Sequence, residues 1–204
     1  MDGLFFYWIL WMAWVIVMFF IPKTFQGRYW FLFHLLVVMV LAAYELQVYR
    51  YVIHISSMYL LLVCCFYIRN QSLWRTIEFI VSSFIISLGY ACFQLYAMLD
   101  PVWLIFKADW MFGVLINYLV LLIIHEWKLR FGALLVGMLI GETIFSGLLL
   151  GNSIPYKAGS YAWLDSAVLV LLMNLTWASL EFISRLIQGM IANQGAAKGA
   201  SRVR

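Results

Sequence analysis

Charge is scarce in this chain. Asp, Glu, Lys and Arg make up 11% of its 204 residues, less than half the roughly 25% of ordinary soluble domains, which excludes a soluble catalytic or nucleic-acid-binding domain. The groups from which enzyme sites are built are equally sparse. The three histidines, His34, His54 and His125, fall on different apolar runs, and no HExxH or similar metal spacing occurs. GxSxG, a Gly-rich phosphate loop and paired carboxylates are all absent. The three cysteines, Cys64, Cys65 and Cys92, sit inside apolar runs without a CxxC, and read as buried thiols. A light-driven retinal protein needs a lysine in its last span, and the run 163–185 has none. These absences lead us to expect no catalytic function, no cofactor and no metal.

Apolar length is what the chain has instead. It is 66% hydrophobic and 19% aromatic, with a mean hydropathy of +0.97, the composition of an integral membrane protein. A helix needs about 20 apolar residues to cross the hydrocarbon, and polar punctuation cuts the sequence into runs at 3–21, 30–44, 52–68, 76–98, 110–125, 131–150 and 163–185. The expected fold is therefore all-α, a polytopic membrane helix bundle with seven transmembrane spans. The first run carries Asp2 in place of a basic leader and ends at Ile21-Pro22-Lys23 without a small-residue cleavage site, so it reads as a retained span. Residues 1–186 form one transmembrane domain, and the small, polar and basic segment 187–204 reads as a flexible cytoplasmic tail near anionic headgroups. The segment 101–109 reads as an outer interfacial turn or an extension of the fifth span, and Asp109 makes a reasonable helix N-cap.

Lys and Arg counts give an orientation, because short cytoplasmic loops are enriched in them. With the N-terminus outside, Lys23, Arg28, Arg69, Arg75, Lys128, Arg130, Arg185, Lys198, Arg202 and Arg204 fall inside, and Arg50, Lys107 and Lys157 outside. Asp2, Glu45, Asp100, Asp109 and Asp165 join the outer set. The expectation is N-out, C-in, in a bacterial plasma membrane, and the net charge of +4 reflects topology with no nucleic-acid partner. Trp30, Trp74, Trp103, Trp110, Trp127 and Trp163 stand at span ends, where indoles anchor. Trp8, Trp11 and Trp14 form a stripe on the first helix, read as a lipid or helix contact.

Ionisable and amide groups deep in a span are costly, and each marks a candidate site. Counted at 1.5 Å per residue from the cytoplasmic ends, Glu142 lies roughly 17 Å in, Asn174 roughly 16 Å and Asn117 roughly 12 Å. They are expected to form one polar layer between the fifth, sixth and seventh spans, with Ser146 on the Glu142 side. Two readings compete: hydrogen-bonded glue between helices, or a proton- or cation-binding site in a small carrier. On the seventh run, Asn174, Ala178, Glu181 and Arg185 share one face, and Glu181 with Arg185 reads as an interfacial ion pair. Glu78 is expected to pair likewise with Arg75. Gly137 and Gly141 form a GxxxG, and Gly147 with Gly151 a second, spacings that let helices approach closely. Gly137 and Gly141 point away from Glu142, which places the sixth span centrally. Such contacts form within or between chains, so beyond the lipid bilayer a homo-oligomer or another membrane protein is a partner the sequence allows.

The opening MDGLFFYWILWMAWVIVMFFIPK, with its Asp-Gly start, tryptophan stripe and abrupt Pro-Lys end, resembles the YphA family of small multi-pass proteins from endospore-forming bacilli. Chain length, span number and basic tail are similar too. The resemblance implies a plasma-membrane protein linked to sporulation or spore-envelope assembly. It carries no catalytic motif and assigns no residue a role. The overall expectation is a membrane protein of the structural or interaction type. The alternative is a small solute or proton-coupled carrier, or the membrane-embedded substrate-binding subunit of an importer.

Overall fold

In an apolar solvent every backbone amide must be satisfied within the protein, which favours helices that close their own hydrogen bonds. The computed structural model describes residues 3–25, 27–48, 51–69, 71–154 and 156–202. Seven helices dominate: α1 (Leu4–Phe20), α2 (Gly27–Leu41), α3 (Ile55–Ile68), α4 (Leu73–Leu99), α5 (Ala108–Ile123), α6 (Trp127–Gly151) and α7 (Tyr161–Arg202). Three are long and apolar enough to cross a membrane: α4, α6, and α7 as far as Ile191. The others are equally apolar but have only 17, 15, 14 and 16 residues. Asp2, Arg50 and Arg204 lie outside the described residues, as do the side chains of Lys198 and Arg202.

The fold departs from the expected all-α pattern at one place. An antiparallel hairpin, β1 (Glu45–Val48) and β2 (Tyr51–His54), precedes α3, with Glu45 opposite His54 and Val48 opposite Tyr51. The third run therefore begins its helix at Ile55, not at Val52. Valine, isoleucine and tyrosine in near alternation with polar residues favour a strand here. Two further corrections concern helix ends. Lys107 occupies the N-cap position of α5, and Asp109 sits inside the first turn, where it accepts from the Ser166 hydroxyl at 2.9 Å. Residues 187–202, read as a flexible tail, continue α7, since alanines at 192, 196, 197 and 200 propagate a helix and no proline stops it. Residues 101–107 form a turn, opened by a short 3₁₀ stretch (Pro101–Trp103), and Ala108 and Asp109 already belong to α5.

Helix pairing follows from small residues. Gly137 and Gly141 have no Cβ, and one built there would fall 2.7 Å from Ile86 Cβ and 2.6 Å from Tyr90 Cβ. Such contacts let α4 lie directly against α6. Gly132 meets Phe79, so successive α6 glycines meet successive α4 residues in the same order and the two helices run parallel. The α5 and α7 helices are also parallel, joined where Gly113 admits Leu169 and Met173. The second GxxxG behaves differently: Gly147 is only half-buried, and a Cβ on Gly151 would touch nothing within 4 Å. The α6 helix is central, the most deeply buried of the three long helices, with buried side chains from Leu129 to Leu149. Trp8 and Trp11 of the stripe are exposed on the outside of α1.

One end of the bundle carries the hairpin and the start of α7. There Asp165 accepts from the amides of Gly3 (2.8 Å) and Phe6 (2.7 Å), supplying to α1 the N-cap its own sequence lacks. The other end gathers arginines: buried Arg28 bonds the Met18 carbonyl at the end of α1, and Arg75 pairs with Glu126 at 2.7 Å. Gly141→Ala is expected to destabilise the protein by about 1–3 kcal/mol through overpacking against Tyr90, while Gly151→Ala should be neutral. Thermal unfolding of the two variants in detergent checks this.

Candidate functional site

Glu142 is 2% exposed at the middle of α6. Its carboxylate takes three hydrogen bonds: from the Tyr90 hydroxyl at 2.6 Å, the Tyr156 hydroxyl at 3.0 Å and the backbone amide of Gly159 at 3.0 Å. Tyr90 is delivered by the glycine contact itself, since its Cβ packs over Gly141 while its phenol reaches the next residue. The other two donors come from the connection after α6. From 142 to 151 the helix rises about 14 Å, so this segment folds back into the bundle to reach the carboxylate. Ala158 and Gly159 are buried as a result, and Gly159 adopts φ +67°, a left-handed conformation that suits glycine. Non-helical backbone inside a membrane protein is tolerated only where protein satisfies it, and Glu142 does this for Gly159.

The expected polar layer is thus two separate groups. Asn117 donates to the carbonyls of Gly113 (2.9 Å) and Val170 (3.0 Å), and Asn174 donates to Asn117 Oδ1 at 3.2 Å. This pair locks α5 to α7 and shares no hydrogen bond with Glu142. Ser146 turns back onto its own helix and donates to the Thr143 carbonyl. A count of depth along each helix says nothing about the direction a side chain faces across the bundle.

At the arginine end, the face of Asn174, Ala178, Glu181 and Arg185 turns inward and ends in exposed Arg185. Glu181 lies 3.8 Å from Arg185, as the spacing suggested, but its closer partner is Arg130 at 3.0 Å. Arg130 is buried and also donates to the carbonyls of Ile124 and His125, both at 2.7 Å. Trp177 Nε1 adds a bond to Glu181 at 2.8 Å. Arg75 pairs with Glu126 in place of the expected Glu78.

Above Glu142, a cavity of about 450 Å³ opens between α4, α5, α6 and α7, lined by Tyr90, Gln94, Asp109, Tyr156, Trp163 and Ser166. Trp163 Nε1 is buried without a partner. Among the described residues, no group of three His, Cys, Asp or Glu side chains gathers that could hold a metal ion.

A helix bundle whose outer faces expose large apolar side chains such as Phe19, Phe20, Phe33, Phe84 and Leu122 is the architecture of an integral membrane protein. The chain belongs to the YphA-like integral membrane protein family, whose model matches residues 2–200. It is 26% identical over 180 residues to the protein called "Uncharacterized protein YphA" of Bacillus subtilis (strain 168), covering 86% of this chain and 88% of that one. No solved structure matches it.

Sequence reasoning missed Tyr90, Tyr156, Gly159 and Arg130. Arg130 was within reach, because it stands just before the sixth run, at the end where Glu181 and Arg185 close the seventh. Replacing Glu142 by Leu leaves three donors without an acceptor and is expected to cost about 3 kcal/mol or more. Glu142→Gln, which keeps an acceptor, should lose about 1 kcal/mol, and thermal unfolding separates the two.

Proposed function

We propose that the protein is a membrane-embedded scaffold: seven spans, N-terminus outside and C-terminus in the cytoplasm, of the structural or interaction type and without catalysis of its own. The observation that carries this reading is the commitment of Glu142. A carboxylate offers about four lone-pair sites, and three donors already occupy this one, so it serves to hold a loop in place. The seven-span layout is supported by the parallel pairs α4/α6 and α5/α7, and the orientation by the arginines gathered at one end. Residues 1–186 act as the membrane domain and 187–204 as a basic cytoplasmic extension. The family resemblance supports service in the plasma membrane of an endospore-forming cell, in envelope or spore-envelope assembly.

A carrier, or the substrate-binding subunit of an importer, is the second reading, and the 450 Å³ cavity beside Tyr90 and Tyr156 favours it. One experiment separates them. A strain lacking the protein is complemented with wild type or Glu142→Gln, and its phenotype is scored at two external pH values. The scaffold reading expects equal complementation by both at each pH. A stable Glu142→Gln protein that fails at one pH where wild type succeeds would establish proton coupling and overturn it. The topology has its own check: with the three native cysteines replaced by alanine, a membrane-impermeant maleimide on intact cells should label a cysteine at exposed Lys107 in the outer turn and spare one at Ser201.

A further inference from the structure

Two cavities of opposite character meet at the arginine end. The first, about 530 Å³, is a polar cleft between the start of α4, the α5–α6 connection and α7, with Gln71, Arg75, His125, Lys128 and Arg185 in its walls. The second, about 470 Å³, is a mainly apolar groove along α7 walled by Leu175, Ala178, Phe182 and Ile183, with Ser179 and the Arg130-paired Glu181 also in its lining. Trp127 and Arg185 belong to both. The indole therefore stands at the border between a cationic chamber and a greasy channel, the position of an aromatic anchor at a headgroup boundary.

Charge in this region does not cancel. Four cations, Arg75, Lys128, Arg130 and Arg185, face two carboxylates, Glu126 and Glu181. Arg75 takes Glu126 at 2.7 Å, and buried Arg130 takes Glu181 at 3.0 Å. Arg185, 3.8 Å from Glu181 and exposed, is left largely available, and Lys128 rests over the Trp127 ring. The α6 helix also opens here. Its N-cap residue, Glu126, makes no side-chain cap, so the first amides and the helix dipole add partial positive charge to the cleft wall.

We propose that this junction binds one anionic phospholipid, with its phosphate in the cleft at Arg185 and Lys128 and an acyl chain along the α7 groove. The excess of cations selects the anionic head over a zwitterionic one, and the adjoining groove selects a lipid over a free phosphate. The site rests on the membrane assignment of the family and is independent of whether the protein is a scaffold or a carrier.

Native mass spectrometry of the full-length protein in neutral detergent tests the site with three probes: phosphatidylglycerol, phosphatidylcholine and chain-free glycerol phosphate. Phosphatidylglycerol should be retained over both others. Lys128→Gln and Arg185→Gln, both surface changes, should each weaken it about fivefold, and Phe182→Glu in the groove should weaken it as well. Equal retention of phosphatidylcholine, equal retention of glycerol phosphate, or unchanged binding by the Lys128→Gln/Arg185→Gln double variant would each overturn the proposal.

Discussion

Residues 156–160 leave helical geometry, and the backbone of Ala158 and Gly159 is buried in the apolar bundle, away from water. The Glu142 carboxylate supplies the missing acceptor. By accepting from Gly159 and from the phenols of Tyr90 and Tyr156, it ties together α4, α6 and the segment that leads into α7. Placing an acid in this environment is expensive alone and favourable once several donors converge on it. The neighbouring glycine makes that convergence possible, because Gly141 lets Tyr90 lie directly on α6. Two adjacent residues, one without a side chain and one with a charge, set the packing of the central helix pair.

The same logic recurs at smaller scale. Asp165 caps α1 from another helix, Asn117 and Asn174 join α5 to α7, and Arg130 gathers two carbonyls and Glu181 at the opposite end. In each case a polar side chain on one helix completes the backbone or the charge of its neighbour. Hydrophobic burial drives no association between helices that already lie in lipid, so small residues and contacts of this kind decide which helix sits beside which.

Much of this was legible from residues alone. The first six helix-forming runs match the observed helices to within a few residues, and the seventh begins within two residues of α7 but stops well short of Arg202, because apolar length and polar punctuation are local properties that do not register a polar helical extension. The α4 contact through Gly137 and Gly141 followed from spacing, although its partner did not. Glu142 was recognisable as costly, yet its donors were not: Tyr90 lies 52 residues away, and Gly159 acts through an amide that every residue except proline carries. The grouping of Glu142 with Asn117 and Asn174 failed for a related reason, since equal depth does not mean a shared face. The hairpin at Glu45–His54 was hidden because its apolar residues join those of α3 into one run.

The central claim is that Glu142 holds a non-helical segment inside the bundle, and the Gly159 amide reports on it most directly. Hydrogen–deuterium exchange in lipid nanodiscs should find peptides covering residues 156–160 protected, far more slowly exchanging than the exposed Asn152–Ser153 turn. Exchange at 156–160 as fast as at that turn would contradict the account.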